Sequence, residues 1–112
     1  MPELIRLKSH TTENGNLTVI EQCLPFTIRR VFYLTHVKND RGNHAHKVTT
    51  LALVCVVGTV EINMNTETYH LDKENKCLII YPKEKHIMSH FSKDAILLVL
   101  ASKEYDPNDF IE

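Results

Sequence analysis

The sequence lacks three features that would assign it to large protein classes: a long apolar run, an excess of charge of one sign, and an apolar leader. The longest apolar run, Leu51 to Val57, is far shorter than the roughly 20 residues that a membrane helix needs. The start, M-P-E-L-I-R-L-K, carries charges where a secretory signal needs an apolar segment. With 13 Lys and Arg against 14 Asp and Glu, the chain has no basic surface for nucleic acid or membranes. We therefore expect a cytoplasmic protein with a small-molecule partner, no nucleic acid and no membrane.

Cysteine is also scarce, and its three positions have no C-x-x-C spacing. Cys23, Cys55 and Cys77 lie in apolar or strand-like contexts, which favours reduced thiols that pack as small hydrophobic groups. None lies in an electropositive turn that would lower the pKa of a thiol. The sequence therefore does not favour a catalytic cysteine.

Helical periodicity is missing as well, because no segment sustains the spacing of an amphipathic helix over ten or more residues. Strand-and-turn units recur instead, with turns predicted at Asn14-Gly15-Asn16, Gly58 and Asn65-Thr66. We predict an all-β sandwich or barrel in one domain over residues 1–112, with a possible helical turn in the tail. The expected strands include Leu4 to Leu7, Leu17 to Gln22, Phe26 to Val37, Val48 to Val57, Val60 to Met64, Glu67 to Leu71, Lys76 to Tyr81 and Ala95 to Ala101, with Lys38 to Asn43 as a loop.

The stretch R-G-N-H-A-H-K, Arg41 to Lys47, carries the strongest chemical signal. Side chains of a strand alternate between its two faces, so His44 and His46 are predicted to point the same way. Imidazoles exchange protons near neutral pH, and two side by side suit a reaction with two proton transfers. The pair is therefore a candidate catalytic site.

A charged residue on an apolar strand face is the second signal. Arg30 shares its parity with Ile28, Phe32 and Leu34, so it is predicted to point inward, where an unpaired charge is costly. Ligand binding by Arg30 and a structural ion pair, for instance with Glu21, are both open on the sequence alone.

The runs P-F-T-I-R-R-V-F-Y-L, R-G-N-H-A-H-K, L-V-C-V-V-G-T-V and L-L-V-L-A-S-K-E-Y-D-P-N-D-F-I together resemble the cupin-fold TDP-4-oxo-6-deoxyglucose 3,4-ketoisomerases, which supply 3-amino-sugar pathways for bacterial surface polysaccharides. The resemblance extends from about Gly15 to the end. It implies a jelly-roll cupin, usually a homodimer that exchanges its N-terminal strands, which binds a thymidine-diphospho sugar without metal or other cofactor.

Carried over by position, the resemblance implies that His44 and His46 are catalytic and that four residues bind substrate: Arg30, Arg41, Lys47 and His86. The chain departs from the family pattern at three places. Phe32 stands where many members have a tyrosine, Leu51 where a glutamine is usual, and Lys85 where a tryptophan precedes the histidine.

Two alternatives to an isomerase stay open. The departures at Phe32 and Leu51 are compatible with a non-catalytic nucleotide-sugar binding cupin. With His86, the histidine pair also supplies three nitrogen donors, enough for an open metal site. Metal cupins usually add a glutamate three to five residues after the second histidine, and Thr49, Thr50 and Leu51 occupy those positions here.

Overall fold

A computed structural model describes residues 1–112, which form twelve β-strands and no helix. This confirms the predicted all-β class. None of its segments is a helix that could cross a membrane. The strands are β1 (Glu3–Arg6), β2 (Lys8–Thr12), β3 (Gly15–Val19), β4 (Arg30–Thr35), β5 (Arg41–His46), β6 (Leu51–Val57), β7 (Val60–Met64), β8 (Thr68–Leu71), β9 (Lys76–Ile80), β10 (His86–Ser89), β11 (Ile96–Ala101) and β12 (Phe110–Ile111).

Two five-stranded antiparallel sheets pack face to face in the jelly-roll manner. The first has the order β1-β9-β6-β11-β4 and the second the order β12-β5-β10-β7-β8. Apolar side chains from both sheets fill the space between them, among them Leu53 and Leu97 from the first sheet and Ile62 and Leu71 from the second. Sequence neighbours often lie in different sheets, so the chain passes repeatedly across this core.

Strand β6 is buried on both faces, as its continuous apolar run predicts. Leu51 and Leu53 face the second sheet, whereas Ala52 and Val54 face outward into a second apolar cluster. That outer face is covered mainly by the irregular segment after β3, which contributes side chains such as Ile20, Leu24 and Phe26.

This cover explains why the predicted strand Phe26 to Val37 was too long. Strand β4 begins only at Arg30. Pro25 has no N–H to donate, and Phe26 packs in the outer apolar cluster of the first sheet instead of in a strand. The predicted parity within β4 is confirmed, since Phe32 and Leu34 are partly buried while Val31 and Tyr33 are exposed.

The predicted loop Lys38 to Asn43 was also too long, because Arg41, Gly42 and Asn43 belong to β5. The strand contains a bulge here: His86 of β10 pairs with His44, while the next residue, Ile87, pairs with Gly42. Gly42 (φ +91°) and Asn43 (φ +61°) adopt the left-handed backbone that the bulge requires. A turn-like sequence signal therefore marks a kink inside a strand.

The turn predicted at Asn65-Thr66 joins two paired strands, and the turn predicted at Asn14-Gly15-Asn16 falls where β2 leads into β3. Strands β7 and β8 pair from Val60↔Leu71 to Asn63↔Thr68 around the Asn65-Thr66 turn. Strands β2 and β3 form a separate two-stranded sheet that pairs with neither main sheet. The tail after β11 contains a turn and the short strand β12 rather than a helical turn.

Candidate active site

A cavity of about 420 Å³ opens between the two sheets, within the size range of small-molecule sites. Strands β4, β5, β6 and β10 and the C-terminal tail all contribute to its wall. The lining residues are Arg30, Phe32, Leu34, Arg41, Gly42, His44, His46, Leu51, His86, Met88, Tyr105 and Phe110.

Three histidines converge in this cavity. His44 and His46 lie on the same face of β5, as predicted, with ring centroids 5.2 Å apart and planes at 87°. His86 of β10 joins them, with its centroid 5.2 Å from His44 and 6.1 Å from His46. The bulge at Gly42 lets β10 approach closely, since a Cβ at that position would lie 3.1 Å from the His86 carbonyl oxygen.

All three imidazoles are held neutral by burial. Burial and the nearby His46 lower the pKa of His44. Burial also lowers the pKa of His46, although its contact with Asp109 acts to raise it. His86 is 1% exposed, and burial lowers its pKa to about 4. Neutral imidazoles carry a free lone pair, so at pH 7 the cluster offers proton acceptors rather than fixed positive charges.

His86 also has an unsatisfied polar atom. Its Nδ1 lies 3.2 Å from the Glu84 carbonyl oxygen, which accepts a hydrogen bond from the ring. Its Nε2 is buried without a hydrogen-bond partner. Buried polar atoms without a partner are rare in a protein interior, and this one belongs to a residue that lines the cavity.

Arg30 supplies the fixed positive charge of the cavity and carries a similar orphan atom. Its guanidinium packs against the rings of Phe32 and Tyr105, 5.2 and 5.7 Å from their centroids. It has no carboxylate within 4.0 Å, so the alternative ion pair with Glu21 does not form. The buried Nε has no hydrogen-bond partner, and Arg41 lines the same cavity.

The tail closes one side of the site. Tyr105 and Phe110 line the cavity, and Phe110 packs against His44 and His46 with centroids 4.9 and 4.8 Å apart. Strand β12 is held there by pairing with β5, in the register Phe110↔His46. The sequence motif at the tail is therefore part of the site wall.

Other predicted positions fall in different places. Phe32 and Leu51, two of the departures from the family pattern, line the cavity and make part of its wall apolar. Lys47 and Lys85 are exposed and are not among the lining residues. His90 is exposed and lies outside the cavity lining, with its Nδ1 3.5 Å from Glu61 Oε1.

Sequence reasoning missed Asp109. This tail residue is 6% exposed, and its carboxylate oxygen Oδ2 lies 3.3 Å from His46 Nδ1. It also accepts hydrogen bonds from the Thr49 hydroxyl and, at 2.8 Å, from the Val48 N–H. The one sequence feature that could have indicated Asp109 is its position immediately before the aromatic residue Phe110 in a polar tail.

Comparison with known proteins agrees with this geometry. The sequence profile of the family described as "FdtA: WxcM-like, C-terminal" matches residues 1–112. The chain belongs to this family. A relative of the WxcM-like chain is the TDP-4-oxo-6-deoxy-alpha-D-glucose-3,4-oxoisomerase of Aneurinibacillus thermoaerophilus, 34% identical over 97% of this chain and 84% of that protein.

Solved structures of similar proteins share the fold of this WxcM-like chain. The QdtA sugar 3,4-ketoisomerase of Thermoanaerobacterium thermosaccharolyticum, in complex with TDP, has a TM-score of 0.94 and 36% identity, with 98% of this chain and 86% of that chain covered. A 3,4-ketoisomerase of Helicobacter canadensis has a TM-score of 0.93 and 31% identity, with 98% of this chain and 89% of that chain covered.

The three histidines of this WxcM-like chain are also possible metal ligands. One nitrogen from each lies within 4.8 Å of the others. Zinc–nitrogen bonds of about 2.0–2.1 Å place tetrahedral ligand atoms roughly 3.4 Å apart, so the cluster would have to contract around an ion. A bound ion would act as a Lewis acid toward a carbonyl oxygen. The cavity wall offers no carboxylate to complete the ligand set.

Proposed function

We propose that the protein is a sugar-nucleotide 3,4-ketoisomerase that converts TDP-4-oxo-6-deoxyglucose into a 3-oxo-6-deoxyhexose for 3-amino-sugar and surface polysaccharide synthesis. One observation carries this proposal. His44, His46 and His86 line the same cavity as Arg30, whose buried Nε has no hydrogen-bond partner. The relatives named above, a TDP-sugar oxoisomerase and a ketoisomerase that binds TDP, support the substrate class.

The first half of the reaction is removal of the C3 proton. The carbonyl at C4 makes this proton acidic, and a neutral imidazole accepts it while the C–H electron pair forms the C3=C4 bond. The C4 oxygen takes up a proton, which gives an enediol or, before that transfer, an enediolate. His44 is the base in our proposal, because burial keeps its ring neutral at pH 7.

The second half returns a proton to carbon at C4. The C3 hydroxyl loses its proton and becomes the new carbonyl, and the C3=C4 electron pair takes a proton at C4 from the protonated His44. His46, on the same face of β5 and edge-to-face with His44, carries the proton between the two oxygens in this proposal. Each histidine ends in its starting state, so no other reagent is consumed.

Charge stabilisation is the task of the cavity arginines in this proposal. Arg30 is a fixed donor in an apolar cavity wall, where an oxyanion is stabilised more strongly than in water. Arg41 supplies a second planar cation for the diphosphate. His86 Nε2, buried without a partner, is a further contact for the substrate.

The decisive experiment follows the sugar protons by NMR in deuterated water, with chelator-treated protein and TDP-4-oxo-6-deoxyglucose. We expect loss of the C3 proton signal and growth of a 3-oxo product, and the deuterium configuration at C4 identifies the galacto or gluco epimer. His44→Ala and His46→Ala should abolish turnover in folded protein. Exchange that continues in both variants would refute the histidine mechanism.

A non-catalytic binding cupin is the second candidate, because Phe32 and Leu51 present apolar groups to the cavity. This candidate predicts shifts of protein resonances on addition of TDP and no isomerisation in the same experiment. Observed turnover would remove it.

A metal-dependent cupin enzyme is the third candidate, since the nitrogens of His44, His46 and His86 lie within 4.8 Å of one another. Elemental analysis of the purified protein distinguishes it from a metal-free isomerase. Near-stoichiometric metal, with activity that chelation removes and the ion restores, would establish it. Full turnover after chelation would exclude it.

We also propose a homodimer. The hairpin β2–β3 pairs with neither main sheet, and Leu17 on it is 59% exposed. Strand β4 is a sheet edge whose exposed face carries Tyr33, 67% exposed. Sedimentation velocity should give twice the chain mass of 13.0 kDa. A single species at the chain mass, at micromolar concentration, would refute the dimer.

A cytoplasmic location completes the proposal. The three cysteines are free thiols, as expected in a reducing compartment. Burial raises the pKa of Cys77 to about 12 and that of Cys55 to about 11, so both thiols are inert at neutral pH. Cell fractionation tests the location directly.

A further inference from the structure

Asp109 lies behind the histidine cluster and has no part in the reaction as described above. Its carboxylate does not line the cavity. Instead, it lies on the far side of the His46 ring, with Oδ2 3.3 Å from Nδ1. An acidic side chain is rarely this deeply buried unless it is paired. The groups that contact the Asp109 carboxylate therefore indicate what it does.

The main chain holds Asp109 firmly against β5. The Lys47 N–H donates to the Asp109 carbonyl oxygen over 2.8 Å, and the Asp109 N–H donates to the Asp106 carbonyl oxygen over 3.1 Å. The next residue, Phe110, is the register partner of His46. These bonds fix the backbone of Asp109 relative to β5, and the Val48 N–H and the Thr49 hydroxyl hold its carboxylate beside the imidazole.

The carboxylate is ionised in this environment. Burial acts to raise the pKa of Asp109, but hydrogen bonds from the Thr49 hydroxyl, the Val48 N–H and the His46 ring outweigh it and hold the pKa below its ordinary value. An ionised carboxylate has only acceptor atoms. Every group that contacts it must therefore donate a proton, including Nδ1 of His46.

This requirement selects one tautomer of His46. A neutral imidazole has one N–H, and if Nδ1 carries it, Nε2 is the bare nitrogen that accepts a proton. We propose that Asp109 is a positioning residue that holds His46 in the Nδ1–H tautomer, with Nε2 available for proton transfer in the cavity. This inference rests on the proposed function for its catalytic consequence, while the tautomer is a property of the protein alone.

Asp109→Asn tests the proposal with little change in shape. The amide oxygen can still accept from the Val48 N–H, but the NH₂ group then faces His46 Nδ1. A donor at that place favours Nδ1 as acceptor and moves the proton to Nε2. We expect kcat to fall about 10²- to 10⁴-fold, because the bare nitrogen no longer faces the substrate. KM should change by less than roughly threefold.

The direct readout is the nitrogen spectrum of the protein labelled with ¹⁵N in its imidazole rings. His46→Gln identifies the His46 signals. We expect Nδ1–H in the unaltered protein and Nε2–H in Asp109→Asn, a change that loss of packing alone does not produce. Asp106→Asn is the matched control, because Asp106 is an exposed acid in the same tail whose carboxylate accepts a hydrogen bond only from the Asn108 N–H. It should keep both the tautomer and kcat.

Unchanged tautomers in Asp109→Asn would overturn the inference, whatever the loss of activity. If that variant does not fold, the unaltered protein decides, since an Nε2–H tautomer of His46 there would equally refute the proposal. Absence of isomerisation by the unaltered protein, with the expected tautomers, would refute the proposed function and leave the positioning by Asp109 standing. The two failures are therefore distinguishable.

Discussion

His44 and His86 are register partners on the neighbouring strands β5 and β10, and their rings meet edge to face with centroids 5.2 Å apart. Each therefore lies within a few ångströms of a second basic ring, in a cavity whose wall contains no carboxylate. A proton on one ring opposes a proton on the other. This relationship makes the site a cluster of neutral bases and leads to two predictions on pH.

The first concerns the pH dependence of turnover. Burial lowers the pKa values of His44 and His46 from 6.5, and a general base acts only in its neutral form. Activity should therefore persist below pH 6.5 and decline only at lower pH. A profile of kcat/KM against pH measures this, and an acid limb with its midpoint above pH 6.5 would contradict it.

The second concerns stability in acid. The pKa of His86 falls from 6.5 to about 4 on folding because the ring is buried. Between these values the unfolded chain binds more protons than the folded chain, so the free energy of unfolding decreases as pH falls through this window. The loss is on the order of 3 kcal/mol by pH 4.

Urea denaturation from pH 7.5 to 4 measures this loss. His86→Asn should remove much of the pH dependence, whereas His10→Asn, at an exposed position on the hairpin, should leave it in place. Equal slopes in both variants would contradict the role of His86.

The third prediction concerns Gly58, the bend between β6 and β7. Its backbone has φ +76°, and an added Cβ would lie 2.2 Å from Ser92 Oγ and 3.0 Å from Ala95 Cα. Ser92 cannot withdraw freely, because its hydroxyl accepts a hydrogen bond from the Thr59 N–H. Gly58→Ala should lower the free energy of unfolding by about 3 kcal/mol, from strain and overlap together.

Gly15→Ala is the control for this prediction. Gly15 also has a positive φ, of +133°, but a Cβ there meets no atom within 4 Å. Gly15→Ala should lower the free energy of unfolding by about 1 kcal/mol, from backbone strain alone. Guanidinium denaturation of both variants measures the difference, and equal losses would show that the contacts around Gly58 do not matter.

The fourth prediction concerns nucleotide binding. Arg30 projects its guanidinium into the cavity wall with Nε unpaired, whereas its neighbour Arg29 is exposed. Arg30→Leu should weaken TDP binding about 10- to 100-fold, the cost of one charge-assisted hydrogen bond. Arg29→Leu should change it little. Calorimetry measures both, and equal affinities would refute the assignment of Arg30.

Lys47→Leu in the same assay tests the predicted substrate-binding role of Lys47, which the geometry does not support. The side chain is exposed and lies outside the cavity lining, so we expect less than a threefold effect, roughly the limit for a remote surface charge. A tenfold or larger loss would restore the sequence-based prediction.

The alternation of side chains along strands made much of the site predictable. His44 and His46, and likewise Arg30, Phe32 and Leu34, were assigned to common faces from parity alone, and the cavity lining confirms both groups. Where regular alternation ended, prediction became less accurate. The kink at Gly42 was predicted to be a loop, and the segment from Phe26 to Arg29 was predicted to be strand although β4 begins only at Arg30.

The sequence by itself determined the all-β class, the inward faces of β4 and β5 and the chemical types available to the site, because these depend on local periodicity and on residue identity. Only the tertiary structure decided that Lys47 stays outside the cavity and that Asp109 lies against His46. These relationships join residues as far apart in sequence as His46 and Asp109, 63 positions. Sheet order and register bring them together, and no local pattern specifies either.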